Sequence, residues 1–315
     1  RRQRQMCIRD SKMDNYVFRD ISVADKCFNP FINLILRVRG SKKLFSSSEN
    51  AEKYLVKING RRESIELHGK FRSRIHEFYC GSMQCFSFRR VSCSEKTVIY
   101  LPGGAFVRQP SSLHFRFADR LCQAARCEVI VCVYPKIPEH RCSETLSAVA
   151  DLYSDLLHTH SPDDITVCGD SAGGTVAVLL PDYFYAKSLP IFSRMILFSP
   201  MLTVSPQTKD VAEIEHVDPM LSVDGLAYFA EKWCGERSDR NDPERVSLDN
   251  FPKTFFFCGE KDILTFYSEK FAGRMKEAEK NYELRFFKGM YHVFPLYPLK
   301  ASREVFSYVC RLTSE

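Results

Sequence analysis

No stretch of this chain approaches the roughly 18 consecutive apolar residues of a membrane-spanning helix, and its best short apolar runs are broken by charges or turn residues. The chain is therefore not expected to cross a membrane. Cys-x-x-Cys spacing is also missing despite 13 cysteines, so no metal site is expected. Most of those cysteines, such as Cys127, Cys132, Cys168 and Cys258, sit inside apolar segments where a small hydrophobe serves. No Asn-x-Ser/Thr sequon occurs and the cysteine total is odd, which favours a reducing, cytoplasmic setting. Strong charge of one sign is absent as well. The 45 basic and 39 acidic residues leave a scattered +6, from which no nucleic-acid partner follows. The first residue is arginine, so any targeting segment upstream lies beyond this reading, and Arg1-Arg2-Gln3-Arg4 reads as a solvated tail.

What is present describes an ordinary soluble globular chain: 44% hydrophobic and 27% charged over 315 residues, enough for one large α/β domain with insertions or two small domains. Residues 1–70 are polar and punctuated, with a helix-like stretch after Ser46-Ser47-Ser48, and look peripheral. From Arg74 onward strands and helices alternate. Strands are predicted at Ile75–Cys80, Met83–Arg90, Thr97–Leu101, Val129–Tyr134, Ile165–Gly169, Met195–Phe198, Thr254–Cys258 and Glu283–Phe287. Helices are predicted after Pro110, over Thr145–His158, and from Ala172 until Pro181 stops or kinks it. This order argues for a mostly parallel sheet with helices on both faces. Over fifty residues between Ser199 and Lys253, rich in proline and carrying an amphipathic helix near Leu226–Trp233, are too long for a plain connection and read as a lid.

Residues 165–174 read Ile-Thr-Val-Cys-Gly-Asp-Ser-Ala-Gly-Gly, an apolar run breaking into Gly-x-Ser-x-Gly. That is the form of a nucleophile elbow, in which a sharp strand-to-helix turn lifts Ser171 above the sheet edge and needs almost no side chain two positions to either side. Gly169 and Gly173 meet that need. A serine hydroxyl is a poor nucleophile at neutral pH, so a histidine base and an orienting acid must follow. Asp262, after the strand Phe255–Cys258, fits the acid, and His292, after Glu283–Phe287 and a turn containing Gly289, fits the base. Glu260 is the rival acid and His140 the rival base. His68, His76, His114, His158, His160 and His216 are taken as surface residues. The turn Leu101-Pro102-Gly103-Gly104 lets the main chain approach a substrate closely, and the N–H of Ala172 opens a helix; Gly103, Gly104 and Ala172 are the candidate oxyanion donors.

With these residues in place, the chain resembles the hormone-sensitive lipase family of α/β-hydrolases. The likeness rests on Gly169-Asp170-Ser171-Ala172-Gly173-Gly174, the Gly103-Gly104 pair, Tyr134 with Pro138-Glu139-His140, Asp218-Pro219-Met220, Gly259-Glu260-Lys261-Asp262 and Gly289 to Phe294, collinear from about residue 97 to the end. It implies an α/β-hydrolase fold, with a catalytic domain from 71–199 and 251–315. It implies too that 200–250 forms a helical cap joined by residues 1–70. The implied activity is hydrolysis of small carboxylic esters through Ser171, His292 and Asp262 without a cofactor. Two alternatives stand beside it: a lipase acting on longer acylglycerols, and a hydrolase-like ligand-binding protein. Phe106, Met220, Phe229, Trp233 and Phe294 are candidate lining for an acyl pocket or plain core. The chain departs from the family where His-Gly-Gly-Gly becomes Leu101-Pro102-Gly103-Gly104, where the arginine after the tyrosine is Pro135, and where Thr265-Phe266-Tyr267 lacks the acidic residue often found after the aspartate. Acyl length, alcohol preference and oligomeric state are not encoded in any motif.

Overall fold

The computed structural model describes residues 15–38, 41–60, 64–92, 94–236 and 240–314; the basic tail Arg1–Arg4 lies outside them. Nine described strands form one sheet: β1 (Tyr16–Arg19), β2 (Arg74–Cys80), β3 (Met83–Arg89), β4 (Thr97–Leu101), β5 (Glu128–Val133), β6 (Ile165–Asp170), β7 (Arg194–Phe198), β8 (Lys253–Lys261) and β9 (Tyr282–Tyr291). Their order is β1-β9-β8-β7-β6-β4-β5-β3-β2. Every neighbouring pair is parallel except β5–β3 and β3–β2. β4 and β6 are buried along their whole length, as continuous apolar runs must be when helices cover both faces.

The twofold period of a strand divides the core in two. Val98, Tyr100, Ile196 and Phe198 face the layer holding helices α4 (Ser112–Ala125) and α10 (Lys300–Ser314). Ile99, Leu101, Val167 and Leu197 face the layer with α5 (Cys142–Leu156), α6 (Ala172–Ala186) and α9 (Thr265–Glu277). Before the sheet's main run come α1 (Val23–Val38), α2 (Ser41–Phe45) and α3 (Ser48–Ile58), the last capped by Ser47, whose Oγ accepts the Asn50 N–H at 3.2 Å. The long interruption before β8 holds α7 (Thr208–Glu215) and α8 (Val223–Cys234). α3 and α2 pack on α8. Gly225 makes this possible, because a Cβ there would lie 2.4 Å from the Phe45 Cα, and Phe45 meets Phe229 edge-on at 5.9 Å.

Several predicted details change. β1 was not foreseen: Tyr16–Arg19 adds to the sheet edge beside β9. The α6 helix does not stop at Pro181 but runs through it to Ala186, since its almost wholly buried surface holds it in place. Gly289 lies not in a turn after the strand but within β9, at φ 72, and pairing resumes at Lys261 with Tyr291 beyond a bulge at Gly259–Lys261.

Candidate active site

Strand register brings the separate motifs together. Leu101 at the end of β4 is level with Gly169 in β6, so Gly103 and Gly104 leave the sheet beside Ser171. Lys261 of β8 is level with Tyr291 of β9, so the next residue of each chain, Asp262 and His292, emerges at the same height. Thirty residues of sequence collapse into one contact. His292 Nδ1 lies 3.1 Å from Asp262 Oδ2, and its Nε2 lies 3.0 Å from Ser171 Oγ. The three side chains are nearly sealed from solvent: Ser171, His292 and Asp262 are 5%, 3% and 0% exposed.

Ser171 has φ 51 and ψ −120, a region that L-residues avoid, and this strain is held from both sides. Its N–H donates to the Phe198 carbonyl, and its own carbonyl accepts from Gly174 and Met201 N–H, each at 3.0 Å. A Cβ at Gly169 would sit 2.6 Å from the Gly173 oxygen, and one at Gly173 only 1.9 Å from the Leu101 oxygen. The two glycines flanking the serine are thus fixed by backbone approaching backbone. Asp262 is held by the Leu264 N–H on Oδ1 at 2.9 Å, and the His292 loop by Val293 N–H on Ser199 Oγ at 3.0 Å. Burial disfavours the imidazolium of His292, yet Asp262 beside Nδ1, with Asp218 and Asp170 further off, raises its pKa above the ordinary histidine value.

Gly103 and Gly104 follow β4 as expected, Gly104 at φ 137 and hard against Arg108. The Ala172 N–H opens α6, where no intrahelical acceptor exists. Of the rivals, Glu260 turns its carboxylate to the Gly289 N–H at 2.9 Å, and His140 pairs with Glu144 near the start of α5. Neither faces Ser171. Among the candidate lining residues, Phe106, Phe229, Trp233 and Phe294 are fully buried and Met220 is half-buried. Trp233 stacks on Phe106 with ring centres 4.0 Å apart and planes 9° from parallel, while its Nε1–H donates to Thr145 Oγ1 at 2.9 Å. Phe294 packs on Phe287 at 4.9 Å in the opposite core layer.

One surface assignment is corrected. His114 is 9% exposed, because α4 turns it inward beneath the nucleophile turn. Its Nδ1 accepts the Ser111 N–H at 2.8 Å, which leaves Nε2 to carry the proton, 3.4 Å from Asp170 Oδ2. Tyr100 OH donates to Asp170 Oδ1 at 2.8 Å. Asp170 in turn fills the space beside Gly103, where a Cβ would lie 2.4 Å from its Oδ2. This buried network behind the Gly103 loop has no local sequence signal, since its members are 56 and 70 residues apart. Asp218 was also missed as a site residue, although Asp218-Pro219-Met220 belongs to the resemblance.

A family model described as the alpha/beta hydrolase fold matches residues 98–296. An esterase of Acinetobacter venetianus is 28% identical over 206 residues, covering 64% of this chain and 68% of that protein. A triacylglycerol lipase of Mycobacterium tuberculosis is 28% identical over 171 residues, 53% of this chain, and the match spans only 35% of its own length. The crystal structure of an esterase from the bacterial hormone-sensitive lipase family superposes with a TM-score of 0.78 at 17% identity, covering 91% of this chain and 97% of that one. No described helix is long and apolar enough to cross a membrane.

Proposed function

The chain belongs to the α/β-hydrolase fold family, and from that premise we propose that it is a carboxylic ester hydrolase working through Ser171, His292 and Asp262. The observation that carries the reading is the unbroken contact from Asp262 through His292 to a serine held at positive φ. In this mechanism Ser171 Oγ attacks the ester carbonyl carbon while His292 Nε2 takes its proton. Asp262 accepts the Nδ1–H and so fixes the tautomer in which Nε2 is the base. The carbonyl oxygen becomes an oxyanion facing the N–H groups of Gly103, Gly104 and Ala172, which stabilise it where water cannot. Collapse breaks the bond to the alcohol oxygen, and His292 returns the proton to that leaving group. A water molecule, deprotonated by His292, then cleaves the acyl-serine and releases the acid.

We assign short to medium acyl chains to the site, with residues 200–250 forming its cap together with α2 and α3, while β1 belongs to the sheet. The support is the buried Phe106–Trp233 stack, which joins α8 to the segment just after Gly104. Hydrolysis of p-nitrophenyl esters from acetate to palmitate tests both claims. Activity should peak at or below about eight acyl carbons, with no rise above the ester's solubility limit. S171A should abolish turnover while circular dichroism stays unchanged, and a fluorophosphonate should label wild-type Ser171 alone. Labelling at another serine, or full turnover by S171A, overturns the assignment.

A further inference from the structure

Asp218 is fully buried at the start of the segment leading into α8. One carboxylate oxygen accepts the N–H groups of Met220 and Leu221 at 2.8 and 2.9 Å, closing a turn at the head of that segment. The other accepts the N–H of Ile263 at 3.1 Å, across 45 residues of sequence and one position beyond Asp262. Its own main-chain oxygen takes Lys42 Nζ from α2 at 2.7 Å, and the same ammonium reaches the Glu215 carbonyl at 2.6 Å. Glu215 closes the assembly, accepting Ser222 Oγ–H and the Val223 N–H at the start of α8. The Asp218 carboxylate therefore ties the α7–α8 segment to the Asp262 loop, and its main-chain oxygen adds α2 through Lys42.

We propose that Asp218 is a positioning residue for ester cleavage: it clamps the α8-leading segment onto the loop of Asp262 and supplies a second buried carboxylate behind His292. The inference rests on the Ser171–His292–Asp262 reading. Its geometry is unusual, because a carboxylate that only closed a turn would use one oxygen and stay at the surface. Here burial and the neighbouring Asp262 charge oppose its ionisation and raise its pKa, while the three N–H donors favour the charged form. The charged and titratable groups around it are Asp262 and His292 from the loops after β8 and β9, Lys42 from α2 and Glu215 from α7, with Asp170 of β6 acting on His292 from further off. Ionised Asp218 favours the imidazolium of His292, so it couples the pH response of the base to the seating of the α8 segment.

D218N keeps an oxygen for the Met220 and Leu221 N–H groups, but it removes the charge and sets an amide NH2 against the Ile263 N–H. With p-nitrophenyl butyrate, kcat should fall about tenfold from the misplaced acid loop while KM changes less than about threefold, and the acid limb of kcat/KM should move down by about half a pH unit or more. D218E, which keeps the charge, should lower kcat but leave that limb in place. A D218N limb at the wild-type pH overturns the inference whatever happens to kcat, since a purely structural role changes amplitude alone. If D218N does not fold, D218S carries the same test. With no substitution at all, a His292 imidazole proton resonance that titrates as one independent site in the wild type also refutes the coupling. Loss of fluorophosphonate labelling at wild-type Ser171 would instead overturn the underlying function.

Discussion

Replacing Gly173 by alanine adds one methyl group at the place where α6 meets the end of β4. Its Cβ would lie 1.9 Å from the Leu101 oxygen, 2.6 Å from the Leu101 carbonyl carbon and 3.0 Å from the Pro102 carbonyl carbon. All three are backbone atoms, so no rotamer change relieves the contact. The helix is closely approached at its neighbouring glycines too, since a Cβ at Gly174 would lie 2.6 Å from Pro200 Cβ and one at Gly169 2.6 Å from the Gly173 oxygen. The strand end must retreat by about 1.5 Å, from 1.9 to 3.4 Å, to restore an ordinary contact, and Gly103 and Gly104 follow two and three residues later. Overpacking of this kind costs about 1–3 kcal/mol of stability. A displacement of about 1 Å at reacting groups, on the scale of losing one oxyanion donor, costs about 10² in rate. We therefore expect kcat to fall by about 10² on p-nitrophenyl butyrate, KM to change much less, and the urea midpoint to drop. Gly273 provides the control. It lies inside α9 with nothing within 4 Å of a built Cβ, so Gly273→Ala should raise stability by about 0.5–1 kcal/mol with kcat unchanged. Gly173→Ala with kcat within threefold of wild type would refute the reasoning that the elbow positions the Gly103–Gly104 loop.

Two further expectations concern the base and the buried tryptophan. Because Asp262 and its neighbours raise the pKa of His292, and the base must be neutral to accept the Ser171 proton, kcat/KM should fall as pH drops through a value above the ordinary 6.5. A profile that inflects below pH 6 contradicts the sign of that shift. Trp233→Ala removes the Phe106 stack and leaves Thr145 Oγ1 without its indole partner, so urea unfolding should show a loss of about 3–5 kcal/mol. Trp233→Phe keeps a ring against Phe106 and should cost about 1–3 kcal/mol; equal losses for both variants would mean that the stack contributes nothing.

The candidate site was legible in one dimension because each part ends a strand and is marked by residues chosen for backbone reasons. Gly169 and Gly173 flank Ser171 because main chain touches main chain there, and such approaches leave a local signature. Asp262 and His292 follow apolar runs of strand length, and their contact then follows from the register of β8 with β9. The family likeness, confirmed by the match to residues 98–296, rests on those same local marks.

What only the tertiary structure decided shares one feature, which is dependence on partners far away in sequence. β1 exists because the open edge of β9 offers hydrogen bonds to Tyr16–Arg19, a four-residue run of strand-favouring side chains too short to announce itself. Pro181 sits within a helix because burial on nearly all sides outweighs one lost hydrogen bond. His114 resembles an exposed helical histidine until α4 turns it toward Asp170, and Asp218 resembles a loop aspartate until Ile263 arrives from 45 residues away. Local propensity and spacing determine which groups the chain possesses and where each strand ends. Which buried polar groups must find one another is settled only when packing removes water from them and leaves each only the partners within reach.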